Sequence, residues 1–464
     1  MNGRNHRVRV DSRFRRQEAR LKTRPLESQG HQKDQIAKPM RREGKGGIGD
    51  HRLPRGRHQA YTLPPHLPPS YLISTHGYPP PHELIRAIVE EIDEDQSLKM
   101  CSLVHTNFRE PCQRILLHSL TVGSEDESKA ATAVWTLLQG SPHVAPYFTR
   151  LYCGVPGPDA TSANAQALCS ILQKLPNIRH CYLFGRTQSP QHWSEVPPQV
   201  TAAIVELFYR KNLTQLYVLW MSLHKAVLTL LLNAAPTVTL LDASVEFTIP
   251  ATPVTSDTPP PLTVRNLLLL SSPTIAEALS GFEFRPYVAS IQKLWWKPNA
   301  KFSDKLISAL APNLKHIRVQ YEDQNDKDEF DVLPILSLPP LPALESAEVP
   351  LTNDDPQNIE NICSISRAAP GTLREISVMC SPTDLLPSEF LEDLDSALAV
   401  RVIIPWIRWR VDLKGAKRAE GELSAVFASA VKQGMPKLHK QGKVIFEQCS
   451  FGREGFGSWT VDRL

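Results

Sequence analysis

The sequence predicts an α/β protein: a small three-helix module followed by an irregular solenoid of repeats, with a parallel sheet on one face and helices on the other. Three observations predict it. Apolar residues at helical spacing crowd the stretch after residue 80. Apolar triplets recur along the rest of the chain at a near-constant period. Proline is abundant, with 40 residues against 22 glycines. Prolines in that number do not fit inside the long helices of a bundle and suit a chain of many short elements with frequent stops.

The 464 residues suffice for several domains or one extended repeat structure, and the net charge of +4 is unevenly spread. Residues 1–60 hold 17 Lys and Arg against 6 Asp and Glu, with one aromatic, Phe14. Such a segment cannot bury enough apolar surface to offset the entropy of ordering, so a disordered basic arm is predicted. The remainder keeps 35 of the 52 basic and 42 of the 48 acidic groups, a mildly acidic body. Nucleic-acid binders are basic throughout their binding domain, so nucleic acid is not the expected partner. The clusters RFRRQ and KPMRREGKGG are candidates only for an import address or a weak contact. Residues 61–80 are proline-rich and predict an extended linker.

No stretch is apolar for long enough to span a membrane, and the first residues lack the apolar core of an export signal. A cytoplasmic or nuclear protein without membrane partners is expected. Cys101, Cys112, Cys153, Cys169, Cys181, Cys363, Cys380 and Cys449 are scattered, with no CxxC pair. That spacing predicts reduced thiols and indicates neither a disulfide framework nor a metal site.

The helical module is expected over residues 81–122. In HELIRAIVEEI, Leu84, Ile85, Ile88, Val89 and Ile92 fall on one helical face. The acidic break DEDQS offers Asp95 or Ser97 as the next N-cap. A second helix follows, with Leu98, Cys101, Val104 and Phe108 directed inward. Pro111 suits the first turn of a third helix, PCQRILLH, and SLTV alternates like a strand. Three short helices make a core too small to be comfortable alone, which hints at a partner.

Residues 123–464 carry the repeat. A proline followed by apolar residues at +2, +5 and +7 occurs at Pro146, Pro176, Pro236, Pro312 and Pro342. The same triplet without that proline begins at Leu213, Val264, Ile291 and Leu373. The first positions are spaced by roughly 28 residues on average, near the leucine-rich-repeat period. Amphipathic segments such as ALCSILQKLPNI, AAIVELFYRKNL and DKLISALAPNL precede many triplets, so each unit reads helix, stop, strand. Stacked units build the predicted solenoid. The eighth position of each unit, where regular repeats place Asn or Cys, holds Asn only at Asn299, so an irregular stack is expected. Its loops PATPVTSDTPPP and YEDQNDKDEFD protrude, and VFASAVKQGMPKLHKQGKVIFEQ supplies a capping helix and strand.

Motifs for catalysis and cofactors are missing. HELIR at 82–86 begins like a zinc-protease helix, but Arg86 stands where the second His ligand belongs. GREGFG at 452–457 reverses the dinucleotide fingerprint, and YEDQNDKDEFD lacks the glycine of a calcium loop. Neither a nucleophile elbow nor a P-loop occurs. No cofactor, no metal and no enzymatic activity are expected.

The stretch PHELIRAIVEEIDEDQSLKMCSLVHTNFREPCQRILLHSLTV resembles an F-box domain, in particular those of expanded fungal families followed by degenerate leucine-rich repeats. The likeness rests on Pro81, Glu83, Leu84, Ile85, Ile88, Ile92, Leu98, Cys101, Leu103, Val104 and Phe108. It implies that the helices dock on a Skp-type adaptor, which links the chain to a cullin–RING (SCF-type) ubiquitin ligase. Pro81, Leu84, Ile85, Leu98, Cys101 and Val104 are the candidates for that surface, with Ile88, Ile92 and Phe108 divided between contact and internal packing. The solenoid then selects a protein substrate. In each strand the residue between the second and third apolar positions faces the open side: Tyr182, Tyr217, Asp242, Leu268, Trp295, Arg318, Glu348 and Ser377. Tyr182, Tyr217, Trp295 and Arg318 are the substrate-binding candidates, because Tyr, Trp and Arg dominate binding hot spots. The alternatives are a leucine-rich-repeat scaffold without ligase association, and a nuclear, nucleic-acid-associated protein acting through the basic arm.

Overall fold

Apolar spacing accounts for each of the three helices that open the folded chain. In α1 (His82–Glu90), Ile85 and Val89 lie one turn apart and are both buried. The next helix, α2 (Asp95–Val104), has Glu94, not Asp95 or Ser97, at its N-cap position, without a side-chain bond to the helix backbone; the Ser97 hydroxyl donates to Glu94 Oε2 at 2.8 Å. His105, in extended conformation, ends α2 and caps α3 (Thr106–Leu116) by accepting the Asn107 N–H at Nδ1, 3.1 Å away. The third helix therefore starts ahead of the expected position. Pro111 sits in its interior, and Phe108 belongs to α3 rather than α2.

The computed structural model describes residues 82–92, 94–123, 128–158, 161–185, 190–210, 212–246, 264–297, 303–319, 336–351, 357–380, 386–412, 420–449 and 461–463. These lie within one unit, His82–Leu464. The predicted arm at 1–60, the linker at 61–80, Pro81, Asn299 and the loops 250–261 and 321–331 fall outside the described residues.

The apolar triplets become strands of one large sheet: β1 (Ser119–Val122), β2 (Arg150–Gly154), β3 (His180–Phe184), β5 (Gln215–Leu219), β7 (Thr237–Leu241), β9 (Asn266–Leu270), β10 (Lys293–Trp296), β11 (His316–Val319), β12 (Ser346–Pro350), β13 (Glu375–Cys380), β14 (Trp406–Asp412), β15 (Val444–Cys449) and β16 (Val461–Arg463). They pair in chain order, all parallel except β15–β16. Three short strands, β4 (Gln191–His192), β6 (Met221–His224) and β8 (Ser244–Glu246), form a second parallel sheet that the sequence reading lacks.

Parallel neighbours need a crossover, and helices supply it: Ser162–Lys174 between β2 and β3, Pro198–Tyr209 before β5, Lys225–Ala234 before β7, Gln357–Ala368 before β13 and Ser388–Ala399 before β14. The second apolar position of each triplet falls in one register, running Leu151, Cys181, Leu216, Val238, Leu267, Leu294, Ile317, Ala347, Ile376 and Ile407. All ten are buried in the core that the sheet shares with its helices. The fold is thus mixed α/β, with a large parallel sheet.

One triplet was set in the wrong phase. Val238 pairs with Leu216 and Leu267, so it is the second apolar position and not the first. Thr239 therefore occupies the row expected for Asp242, which instead ends its strand in the left-handed region at φ 48°. Trp220 and Ser271 end β5 and β9 in the same way, at φ 54° and 50°. After β9 the turn is held by Ser272, at the position where regular repeats place Asn. Its hydroxyl oxygen accepts the Ala243 N–H at 3.0 Å and donates to Leu270 O at 2.9 Å. A serine thus performs the backbone bonding expected of the missing Asn.

At the β1–β2 end the backbones approach too closely for a side chain. A Cβ built on Gly154 would lie 1.9 Å from the Gly123 carbonyl oxygen, and Gly123 itself has φ +82°. Gly154→Ala is expected to cost about 2–3 kcal/mol, read as a lowered midpoint in urea, because backbone cannot yield as a side-chain tip can.

Candidate functional site

Two surfaces of the described chain call for a functional reading. The first is the helical module. Its core is a cluster of Ile85, Val89, Leu98 and Cys112, separate from the large core and flanked by half-buried Ile92, Cys101, Phe108, Ile115 and Leu116. Outside this cluster, apolar side chains are left in water: Leu84 is 51% exposed, Ile88 47%, Met100 57%, Leu103 80% and Val104 76%. Helix geometry explains the division. Leu84 and Ile88 are one turn apart on α1, about 100° round from Ile85 and Val89. Met100, Leu103 and Val104 form an i, i+3, i+4 set on α2, facing away from Leu98.

The sequence-derived candidates therefore separate. Leu84, Ile88 and Val104 stand at the surface, and the inward direction expected for Val104 does not hold. Ile85 and Leu98 fill the module's own core, at 1% and 0% exposure, and do not stand on its surface. Ile92, Cys101 and Phe108 are half-buried against that core. Pro81 lies outside the described residues. Met100 and Leu103 were not among the contact candidates; their i, i+3 spacing was the available signal.

The second surface is the sheet face turned away from the helices. There β3 and β5 set Tyr182 beside Tyr217, and β10 and β11 set Trp295 beside Arg318. Tyr152, Tyr182 and Tyr217 stack in sequence, with centroids 4.4 and 4.2 Å apart. The Tyr217 hydroxyl donates to Gln215 Oε1 at 3.0 Å. Burial raises the Tyr182 phenol well above its ordinary range, so it stays protonated. The Arg318 guanidinium lies 3.8 Å from the centre of the Trp295 ring and 3.3 Å from Glu348. Burial pulls its pKa down to about 10, with Glu348 opposing that shift, and Arg318 is still cationic at neutral pH. All four candidates share one face, but their ring and guanidinium faces are largely occupied by one another; Tyr217 is only 4% exposed.

Beyond Arg318 the same face carries an ion network. Glu348 also meets Arg410 at 3.3 Å, Arg408 meets Glu375 at 2.9 Å, and Glu447 joins both arginines, bonding Arg408 and lying 3.3 Å from Arg410. These partners are far apart in sequence and are brought together only by strand register. Next to Arg318 on β11, His316 accepts from or donates to Ser346 Oγ at 2.6 Å, and on the distant strand β3 His180 is bound to Gln215 at 2.8 Å. Burial lowers both imidazole pKa values, and nearby cations add to the shift. An unfolded histidine takes up a proton near pH 6.5 before the folded one does, so stability must fall as pH drops through about 6.5. Thermal melts across that range are expected to show this slope, and His316→Asn is expected to flatten it.

Among the described residues no group of three or more His, Cys, Asp or Glu side chains is arranged to hold a metal, and no helix is long and apolar enough to cross a membrane. No protein-family model matches the chain, and no curated protein matches it either.

Proposed function

We propose that this chain is a non-catalytic substrate-recognition adaptor of a cullin–RING ubiquitin ligase. In this reading the helices α1–α3 are an F-box-like module that docks on a Skp-type adaptor. The sheet and its helices act as an irregular leucine-rich-repeat solenoid that holds a protein substrate. The observation that carries the proposal is the exposure of Leu84 and Ile88 on α1 and of Met100, Leu103 and Val104 on α2, on a module whose buried core has only four residues. Burying one such side chain is worth about 1.5–3 kcal/mol. Five together favour a partner that covers them and stabilises the module by doing so.

The chain-order parallel sheet supports the solenoid half of the reading, since stacked repeats place each strand beside the next. Tyr182, Tyr217, Trp295 and Arg318 mark the face proposed for the substrate. Because their broad faces are already engaged, contact there would be made by ring edges. No cofactor and no metal enter the proposal. Gel filtration of the full chain mixed with a purified Skp-type adaptor tests it: a joint earlier-eluting peak is expected, and separate elution at micromolar concentrations would sink it.

A further inference from the structure

A third surface lies at the edge where the chain enters its strands. The turns before β9, β10, β11 and β12 enclose an open cleft of about 440 Å³ whose polar lining is Arg265, Ser290, Gln292, Asn313 and Lys315. Parallel register sets these side chains together: Arg265 just precedes β9, Gln292 just precedes β10 and Lys315 just precedes β11, each N–H bonded to the neighbouring turn. Lys293, the first residue of β10, stands beside them, across from Asn266 and His316.

Among the described residues neither Arg265 nor Lys293 has an ion-pair partner. Lys315 meets only Glu345, at 3.7 Å, with both side chains more than two-fifths exposed. An ion pair that wet is weak and easily exchanged for another carboxylate. Two cations and two amides thus line one cleft, with Lys293 on the adjoining row, and only the wet Glu345 pair opposes them. The pKa of His316 reports the same field. Burial is the main cause of its lowering; Lys293 and Lys315 push in that direction, while Glu345 and Glu375 oppose it.

We infer that this cleft binds an acidic segment of a partner protein, its carboxylates held by Arg265 and Lys315 and oriented by Gln292 and Asn313. Adjacent strands are about 4.8 Å apart, so the cations span roughly 10 Å, the reach of two or three acidic side chains on an extended peptide. The strip is short: Glu345 and Glu375 interrupt it on the next strands. A nucleic-acid backbone needs a continuous cationic path and exposed aromatic faces for its bases. Here the tyrosines of the sheet stack on one another at 4.2–4.4 Å and leave no gap for a base. The acidic-segment site is independent of whether α1–α3 capture an adaptor.

Fluorescence anisotropy of the full chain with a fluorescein-labelled oligo-glutamate peptide tests it, beside an oligo-serine peptide and a labelled single-stranded oligonucleotide. The expected result is salt-sensitive binding of oligo-glutamate alone, weakened about tenfold or more in Arg265→Glu/Lys315→Glu. The milder Arg265→Gln/Lys315→Gln pair is expected to weaken it in the same direction, and circular dichroism checks that both variants fold. Wild-type affinity in folded variants would assign the binding elsewhere, for instance to the basic arm, and overturn the site. Absence of binding by the wild type, or tighter binding of the oligonucleotide through the same residues, would overturn it equally.

Discussion

Glu447→Ala is expected to lose about 3 kcal/mol of stability, measured as a lowered midpoint in urea. Glu447 is 1% exposed and sits between Arg408 and Arg410, whose side chains are 20% and 16% exposed. Removing one partner of a buried pair typically costs about 3–5 kcal/mol, because the remaining charge is left uncompensated in a poorly solvated place. The lower end applies here, since Arg408 keeps Glu375 and Arg410 keeps Glu348. Glu447→Gln retains the shape and one acceptor and is expected to lose less. Salt should change the difference little, because buried pairs are poorly screened. A Glu447→Ala protein as stable as wild type would mean that the network is ornamental and that the last strands are held by apolar packing alone.

The second large effect concerns the helical module. Ile88→Asp combined with Val104→Asp is expected to weaken capture by a Skp-type adaptor at least about a hundredfold, since both place charge in the middle of an apolar contact. Stability should change by no more than about 1 kcal/mol. Both sites are exposed, and the main cost is a negative charge at the C-terminal end of α2. Leu98→Ala should do the opposite. Leu98 is fully buried, so truncation costs about 2–5 kcal/mol and impairs capture only by loosening the module. The two variants thereby separate a contact surface from a supporting core.

Much of this architecture is legible in the sequence, and the failures have physical causes. Triplets such as Ile178/Cys181/Leu183 and Ile291/Leu294/Trp296 alternate cleanly because one face of their strand meets helices and the other meets water or polar neighbours. The strand Thr237–Leu241 breaks that rule. Thr239 is 1% exposed, so both faces are buried and the alternation that fixes phase is gone. The spacing Ile404/Ile407/Trp409 marks β14 as well, with Pro405 inside the triplet.

In the module, periodicity marked apolar stripes without telling which stripe is covered. Leu98 and Val104 belong to the same apolar run, yet one is core and the other is surface. The ion network was invisible for another reason: pairing Glu447 with Arg408 requires the register of β14 and β15, which no local pattern encodes.

The proposed function requires that α1 and α2 be held by another protein. Hydrogen–deuterium exchange of the full chain, alone and with a Skp-type adaptor, tests that claim directly. Slower exchange confined to residues 82–104 is the expected result, with the amides of β9–β15 unchanged. Protection of the sheet with none in those two helices, or no protection anywhere, would contradict it.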